Sequence, residues 1–142
     1  MLKKILVFVS VLFLSANLYA SENSAKGLNV VVTSADSQTQ MMAMVLSTMA
    51  KKQGKDVNIV LCSKAGDLAD KNIKGETLKP KNKSPKMLLN GLIKKGANVQ
   101  VCPLYLPNAN KDASVLLDGI TVAKPMDVAT NLLNKDYQNL SY

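Results

Sequence analysis

Two cysteines are the residues of this chain whose type and placement could do chemistry. Cys62 closes the run Val57-Asn58-Ile59-Val60-Leu61-Cys62. Cys102 closes Asn98-Val99-Gln100-Val101-Cys102, with Pro103 next. Both runs have the β-branched, nearly continuous apolar character of a strand covered on both faces. Each thiol therefore falls at a strand's carboxyl end, the edge at which open α/β sheets bind ligands, at the switch point of strand order. A thiol so placed is a buried structural group, half of a disulfide, or a nucleophile if its surroundings lower its pKa. A Cys62–Cys102 bridge would close a loop of about 40 residues, worth about 4 kcal/mol in the chain-entropy model. It is feasible if the two strands are neighbours, about 4.8 Å apart. It is excluded if the first strand lies between them, as in the flavodoxin order. Lys64 lies close to Cys62 in sequence, and Pro103 fixes an extended exit from Cys102.

The rest of the composition narrows what these thiols could do. There is no histidine, which removes Ser-His-Asp and Cys-His catalysis, imidazole metal ligands and the usual proton shuttle. All 18 basic residues are lysine. Arginine, the bidentate reader of phosphates and bases, is missing, so the lysines read as solvated surface and no nucleic-acid partner is expected. No phosphate loop, dinucleotide fingerprint, zinc spacing or CxxC occurs, and no cofactor is expected. Four of the seven methionines lie between positions 41 and 49. Flexible core filler or an apolar association face accounts for them; a soft Cu(I) site is a weaker alternative.

Residues 1–20 carry the marks of a cleaved secretory signal peptide. Lys3 and Lys4 precede the apolar stretch Ile5 to Leu14, and Leu18-Tyr19-Ala20 offers a small residue at the cut. The apolar stretch is too short to span a membrane, which needs about 20 residues. The expected location is the periplasm, with no membrane attachment of the mature form. Residues 21–26 form a short polar lead-in, and 27–142 form a single domain, enough to bury about two-thirds of its unfolded surface.

Within that domain, strands alternate with helices. Leu28 to Thr33 reads as the first strand. Ser34-Ala35-Asp36-Ser37 offers N-caps for a helix from Gln38 to Lys52, whose apolar stripe is Met42, Val45, Leu46 and Met49, widened by Met41 and Met44. The Val57–Cys62 strand is followed by a turn, a short helix start at Asp67–Asp70 and a lysine-rich exposed loop, Lys71 to Lys83. Ser84-Pro85 opens a second helix with Met87, Leu88, Leu89, Leu92 and Ile93 on its apolar face. After the Cys102 strand, Pro103 to Asn110 reads as a loop and Asp112 to Leu117 as one or two helical turns. Ile120–Ala123 is a fourth strand. Pro125–Leu133 is a helix with Met126, Val128, Ala129, Leu132 and Leu133 on its apolar side. Tyr137–Tyr142 reads as a fifth, edge strand. This alternation predicts a three-layer α/β/α sandwich on a mostly parallel sheet of about five strands, of flavodoxin-like architecture.

The stretch Val99-Gln100-Val101-Cys102-Pro103-Leu104-Tyr105-Leu106, followed by Leu116-Leu117-Asp118-Gly119-Ile120, resembles the DsrE/DsrF-like family, in particular its exported single-domain members. The resemblance runs over roughly positions 28 to 142. It implies a DsrE-like domain that assembles as dimers, trimers or hexamers. It also implies sulfane sulfur held as a persulfide on the strand-end cysteine, here Cys102. Cys62 matches no sulfur carrier of the family and stands as a second thiol or disulfide partner. In place of the arginine- and glycine-containing stretch that sulfur-carrying members have after the cysteine, this chain has Pro107-Asn108-Ala109-Asn110-Lys111. The function expected is sulfur trafficking, a sulfurtransferase-like relay at most, with a thiol or persulfide protein as partner. The alternative is a non-catalytic binding or assembly module.

Overall fold

The structure is a computed structural model and describes residues 24–142. The signal peptide expected at 1–20, and residues 21–23 of the lead-in, lie outside the described residues. Five strands form one sheet: β1 (Gly27–Val32), β2 (Asp56–Leu61), β3 (Asn98–Val101), β4 (Ile120–Val122) and β5 (Tyr137–Ser141). All four pairings are parallel, in the spatial order β4-β3-β2-β1-β5. The layered α/β architecture is the expected one, with a wholly parallel sheet. The strand order is not that of flavodoxin: β2 and β3 are neighbours, and order reverses only between β1 and β5.

Helices α1 (Ser37–Lys52) and α2 (Pro85–Lys94) begin and end as their sequences require. Asp36 caps α1, its Oδ1 accepting from the Thr39 amide at 2.7 Å, and Ser84 caps α2 from its Oγ to the Met87 amide at 3.2 Å. Pro85 opens α2 at a position where its missing N–H costs nothing. Gly54 and Gly96 follow the helix ends at φ 75°, a left-handed conformation that a side chain would strain.

The two helices pack together over one sheet face. That face carries Val30 and Val32 of β1, Ile59 and Leu61 of β2, and Val99 and Val101 of β3, all buried with Met44, Leu89 and Leu92. The buried side of α1 is Gln40, Ala43, Met44, Ser47 and Ala50. Of the expected apolar face, Met44 is fully buried and Val45 half-buried, while Met42 (52%), Leu46 (40%) and Met49 (41%) are exposed. Ala43, Ser47 and Ala50 let the helix axis approach the sheet and α2 closely, and Met44 fills the core between them.

The opposite sheet face is a second departure from expectation. The strands were expected to be apolar on both sides, but this face carries a row of asparagines in register: Asn139, Asn29, Asn58 and Asn98. Asn58 Nδ2 donates to Asn29 Oδ1 at 2.9 Å, and Asn98 Nδ2 to Asn58 Oδ1 at 3.3 Å. Asn29 Nδ2 donates to Asn139 Oδ1 at 3.0 Å and to the Asn131 carbonyl at 2.6 Å. The nine-residue helix Pro125–Leu133 crosses here without fully burying any of its residues; Met126 and Leu133 of its expected apolar side are exposed.

Two shorter segments also differ from expectation. A four-residue α-helix, α3 (Tyr105–Asn108), forms within the expected Pro103–Asn110 loop, so the Pro125–Leu133 helix is α4. The turns expected across Asp112–Leu117 reduce to a 3-10 segment, Ala113–Val115, and the short helix after β2 is a 3-10 segment that begins earlier, Ser63–Leu68. Among the described residues, no helix is long and apolar enough to cross a membrane.

Candidate functional site: a cross-strand thiol pair

Strand register brings the two cysteines together. Leu61 is opposite Val101 at the ends of β2 and β3, so the next residues, Cys62 and Cys102, are opposite one another. The Cys102 amide donates to the Leu61 carbonyl at 2.8 Å, and the Cys62 amide to the Val32 carbonyl at 2.8 Å, which extends the ladder to both residues. Side chains at the same register of adjacent strands project from the same face. Both thiols are unbridged and half-buried. They share an open cavity of about 490 Å³ lined also by Ser63, Lys64, Asp67, Leu104, Tyr105 and Asn108. The site sits at the strands' carboxyl edge as expected, but away from the switch point between β1 and β5.

The two thiols are electrostatically unequal. Burial, then the hydrogen-bonding contact with Cys102 and repulsion by it, push the Cys62 thiol up to about 11. Cys62 is thereby held protonated at neutral pH. Immediately after Cys62, Ser63 holds φ at 51°, a left-handed conformation uncommon for a residue with a side chain.

Behind the thiols lies a polar network. Sequence patterning left Asp67 and Asp70 unpaired, because their partners are about 40 residues away along the chain. Tyr105 Oη donates to Asp67 Oδ1 at 2.9 Å. Burial and this bond push the Tyr105 phenol above its ordinary range. Asp70, almost fully buried, is met by Lys111 Nζ at 2.6 Å and by the Asn72 amide at 2.8 Å. Burial raises the Asp70 carboxyl; the Lys111 and Asn72 hydrogen bonds and the charges of Lys111 and Lys86 outweigh it and hold the group below its ordinary range. Lys86 Nζ also donates to the Asp70 and Ile73 carbonyls. Lys111, at the end of the variable stretch after Cys102, therefore ties that stretch to the segment after β2. The two chain segments that frame the thiols are held in one geometry.

Sequence reading missed Tyr105, Asp67 and Lys111 as parts of this site. It also overlooked one signal. Asn58 and Cys62 share the spacing of Asn98 and Cys102, and that matched N-x-x-x-C pattern marks the register that pairs the thiols. Among the described residues, no methionine lines the thiol cavity. Met41, Met42 and Met49 line a different groove, of about 740 Å³, between α1 and the lysine-rich loop at Leu78–Lys83.

No family model matches the chain, and no curated protein does. Solved structures do. The chain is similar to the ychN protein from E. coli, with a TM-score of 0.69 at 18% identity over 82% of this chain and 99% of that one. It is similar also to MTH1491 from Methanobacterium thermoautotrophicum, a protein of unknown function, with a TM-score of 0.59 at 13% identity over the same shares of the two chains. The likeness at these identities is one of fold: a five-stranded, all-parallel α/β sheet with the helices that flank it.

Proposed function

We propose that this protein is an exported, DsrE-like sulfur-trafficking protein of the periplasm in which Cys102 accepts sulfane sulfur and hands it to a partner thiol. The observation that carries the reading is the thiol pair in an open cavity at the sheet's carboxyl edge. Cys102 is the nucleophile. Its thiolate attacks the outer sulfur of a donor persulfide, a Cys102 persulfide forms, and the donor leaves as a thiolate. Lys64 at the cavity supplies positive charge for the anionic donor, and the protonated Cys62 beside Cys102 donates toward the nucleophile's charge. The attacking species is the thiolate, which reacts without an imidazole partner.

The test is a rapid-quench loading experiment. Reduced protein is mixed with polysulfide, quenched within seconds by an alkylating agent, and analysed by peptide mass. The expected outcome is one added sulfur on the Cys102 peptide and none in Cys102→Ser. A Cys102→Ser variant that loads as fully as the wild type refutes the reading.

The outward apolar stripe of α1 supports a second reading, an assembly or binding module. Met42 and Met49 face a groove rimmed by Lys79, Lys81 and Lys83. Homo-oligomer formation through this face predicts that Met42→Glu lowers the particle mass in solution, while replacement of both cysteines does not. An unaltered mass in Met42→Glu excludes this face.

A further inference from the structure

The sulfur-acceptor reading uses Cys62 only as a hydrogen-bond donor to Cys102, yet the fold places its thiol directly across from the acceptor. Three observations bear on what Cys62 does. It lies one register step beyond Leu61–Val101, on the next strand over, with both side chains on the same side of the ladder. Neighbouring strands stand about 4.8 Å apart, which meets the Cα separation that a disulfide requires. Both thiols open into one cavity that has room for a further sulfur atom and a path to solvent past the exposed Leu104.

Building on the assignment of Cys102 as acceptor, we propose that Cys62 is a resolving thiol that discharges a Cys102 persulfide as hydrogen sulfide and closes a Cys62–Cys102 disulfide. Cys62 Sγ attacks the Cys102 Sγ. The bond between Cys102 Sγ and the outer sulfur breaks, and the outer sulfur leaves with the electron pair. The proton of the Cys62 thiol goes to that departing sulfur. The outer sulfur is reduced by two electrons and the cysteine pair is oxidised by two, so no external oxidant enters. A small thiol or a dithiol protein then reduces the disulfide and resets the site. Cys62's burial keeps its proton in place until a persulfide sulfur arrives to receive it, so one thiol serves as nucleophile and acid in a protein without histidine. The site would then convert sulfane sulfur to sulfide at the expense of a thiol reductant, and release to a partner thiol would compete with that discharge.

The experiment mixes reduced protein with one equivalent of glutathione persulfide and follows three readouts in time: intact mass, free thiols and sulfide. In the wild type, the added sulfur appears and then disappears. One equivalent of sulfide is released, both thiols are lost, and the final mass is two hydrogens below that of the reduced protein. In Cys62→Ser the reaction stops at the Cys102 persulfide without sulfide, and Cys62→Ala does the same if serine disturbs the site. A wild type that keeps its persulfide as long as Cys62→Ser overturns the resolving role and leaves the acceptor reading intact. Sulfide released equally by both proteins also overturns it. No added sulfur on Cys102 in any of the three proteins overturns the acceptor reading itself.

Discussion

Oxidising the thiol pair should stabilise this protein by an amount that the chain length sets. The perturbation is a redox buffer that closes Cys62–Cys102. Adjacent parallel strands in register supply the separation that a disulfide needs, so the native state accommodates the bond with little movement. The gain then comes from the unfolded chain, where a closed loop of about 40 residues removes about 4 kcal/mol of conformational freedom at 25 °C. For a domain of about 120 residues, the unfolding entropy converts that into a rise of about 15 °C in Tm. The assay compares urea and thermal unfolding of the reduced and oxidised proteins at one pH. Cys62→Ser serves as a control that should show no redox dependence. Two results refute the reasoning. If the thiols do not oxidise in a disulfide-forming buffer, the cross-strand geometry is wrong. If they oxidise and the midpoint does not rise, the native state is strained by an amount that cancels the loop term.

Three further outcomes are expected. An alanine Cβ at Gly66 would lie 2.2 Å from Tyr105 Cδ2, so Gly66→Ala must displace the ring from Asp67 and the thiol cavity; it should cost about 1–3 kcal/mol, and an unchanged urea midpoint contradicts the contact. In the reduced protein, iodoacetamide at about pH 8 should label Cys102 far faster than Cys62, because Cys62 is pushed up to about 11. The folded state holds the Cys62 proton more tightly than the unfolded chain, whose thiol titrates near about 8.5, so that contribution is complete below about pH 8.5 and is lost as pH rises toward about 11. Cys62→Ser should flatten this alkaline fall, and equal labelling of the two thiols contradicts the assignment. Finally, Asn29→Ala strips partners from Asn58 Nδ2 and Asn139 Oδ1 at a nearly buried position, and should lower stability by about 1–3 kcal/mol in urea unfolding.

The exposed stripe of α1 and the thin cover of the asparagine face have a common physical basis. A parallel sheet built from βαβ units gains most from the face on which consecutive crossovers pack, here α1 and α2. The single return crossover from β4 to β5 must span the sheet with one nine-residue helix, too short to cover five strands. Paired amides are tolerated on that half-covered face because each hydrogen bond replaces one to water. The outward methionines and leucine on α1 lie on a helix whose inner side is already filled by Met44, Gln40 and the small residues Ala43, Ser47 and Ala50. They therefore remain available for a partner surface.

Local rules determined much of this protein from sequence alone. The strand ends, the Asp36 and Ser84 caps, the glycines after both helices, the parallel α/β class and the carboxyl-edge position of both thiols follow from patterns a few residues long. The missing histidine likewise excluded imidazole catalysis without any structure. Tertiary structure decided which strands are neighbours and which side of each helix is inner. Periodicity shows where apolar side chains lie on α1, but close packing against the sheet turned the Ala43, Met44, Ser47 and Ala50 side inward and left Met42, Leu46 and Met49 outside. Strand order depends on long-range competition among crossovers, and it places β3 directly beside β2. That adjacency turns Cys62 and Cys102 from two strand-end thiols, separated by about 40 residues, into one cross-strand pair. The Asp67–Tyr105 and Asp70–Lys111 contacts depend on the same adjacency, because only the folded sheet brings the segments after β2 and β3 together.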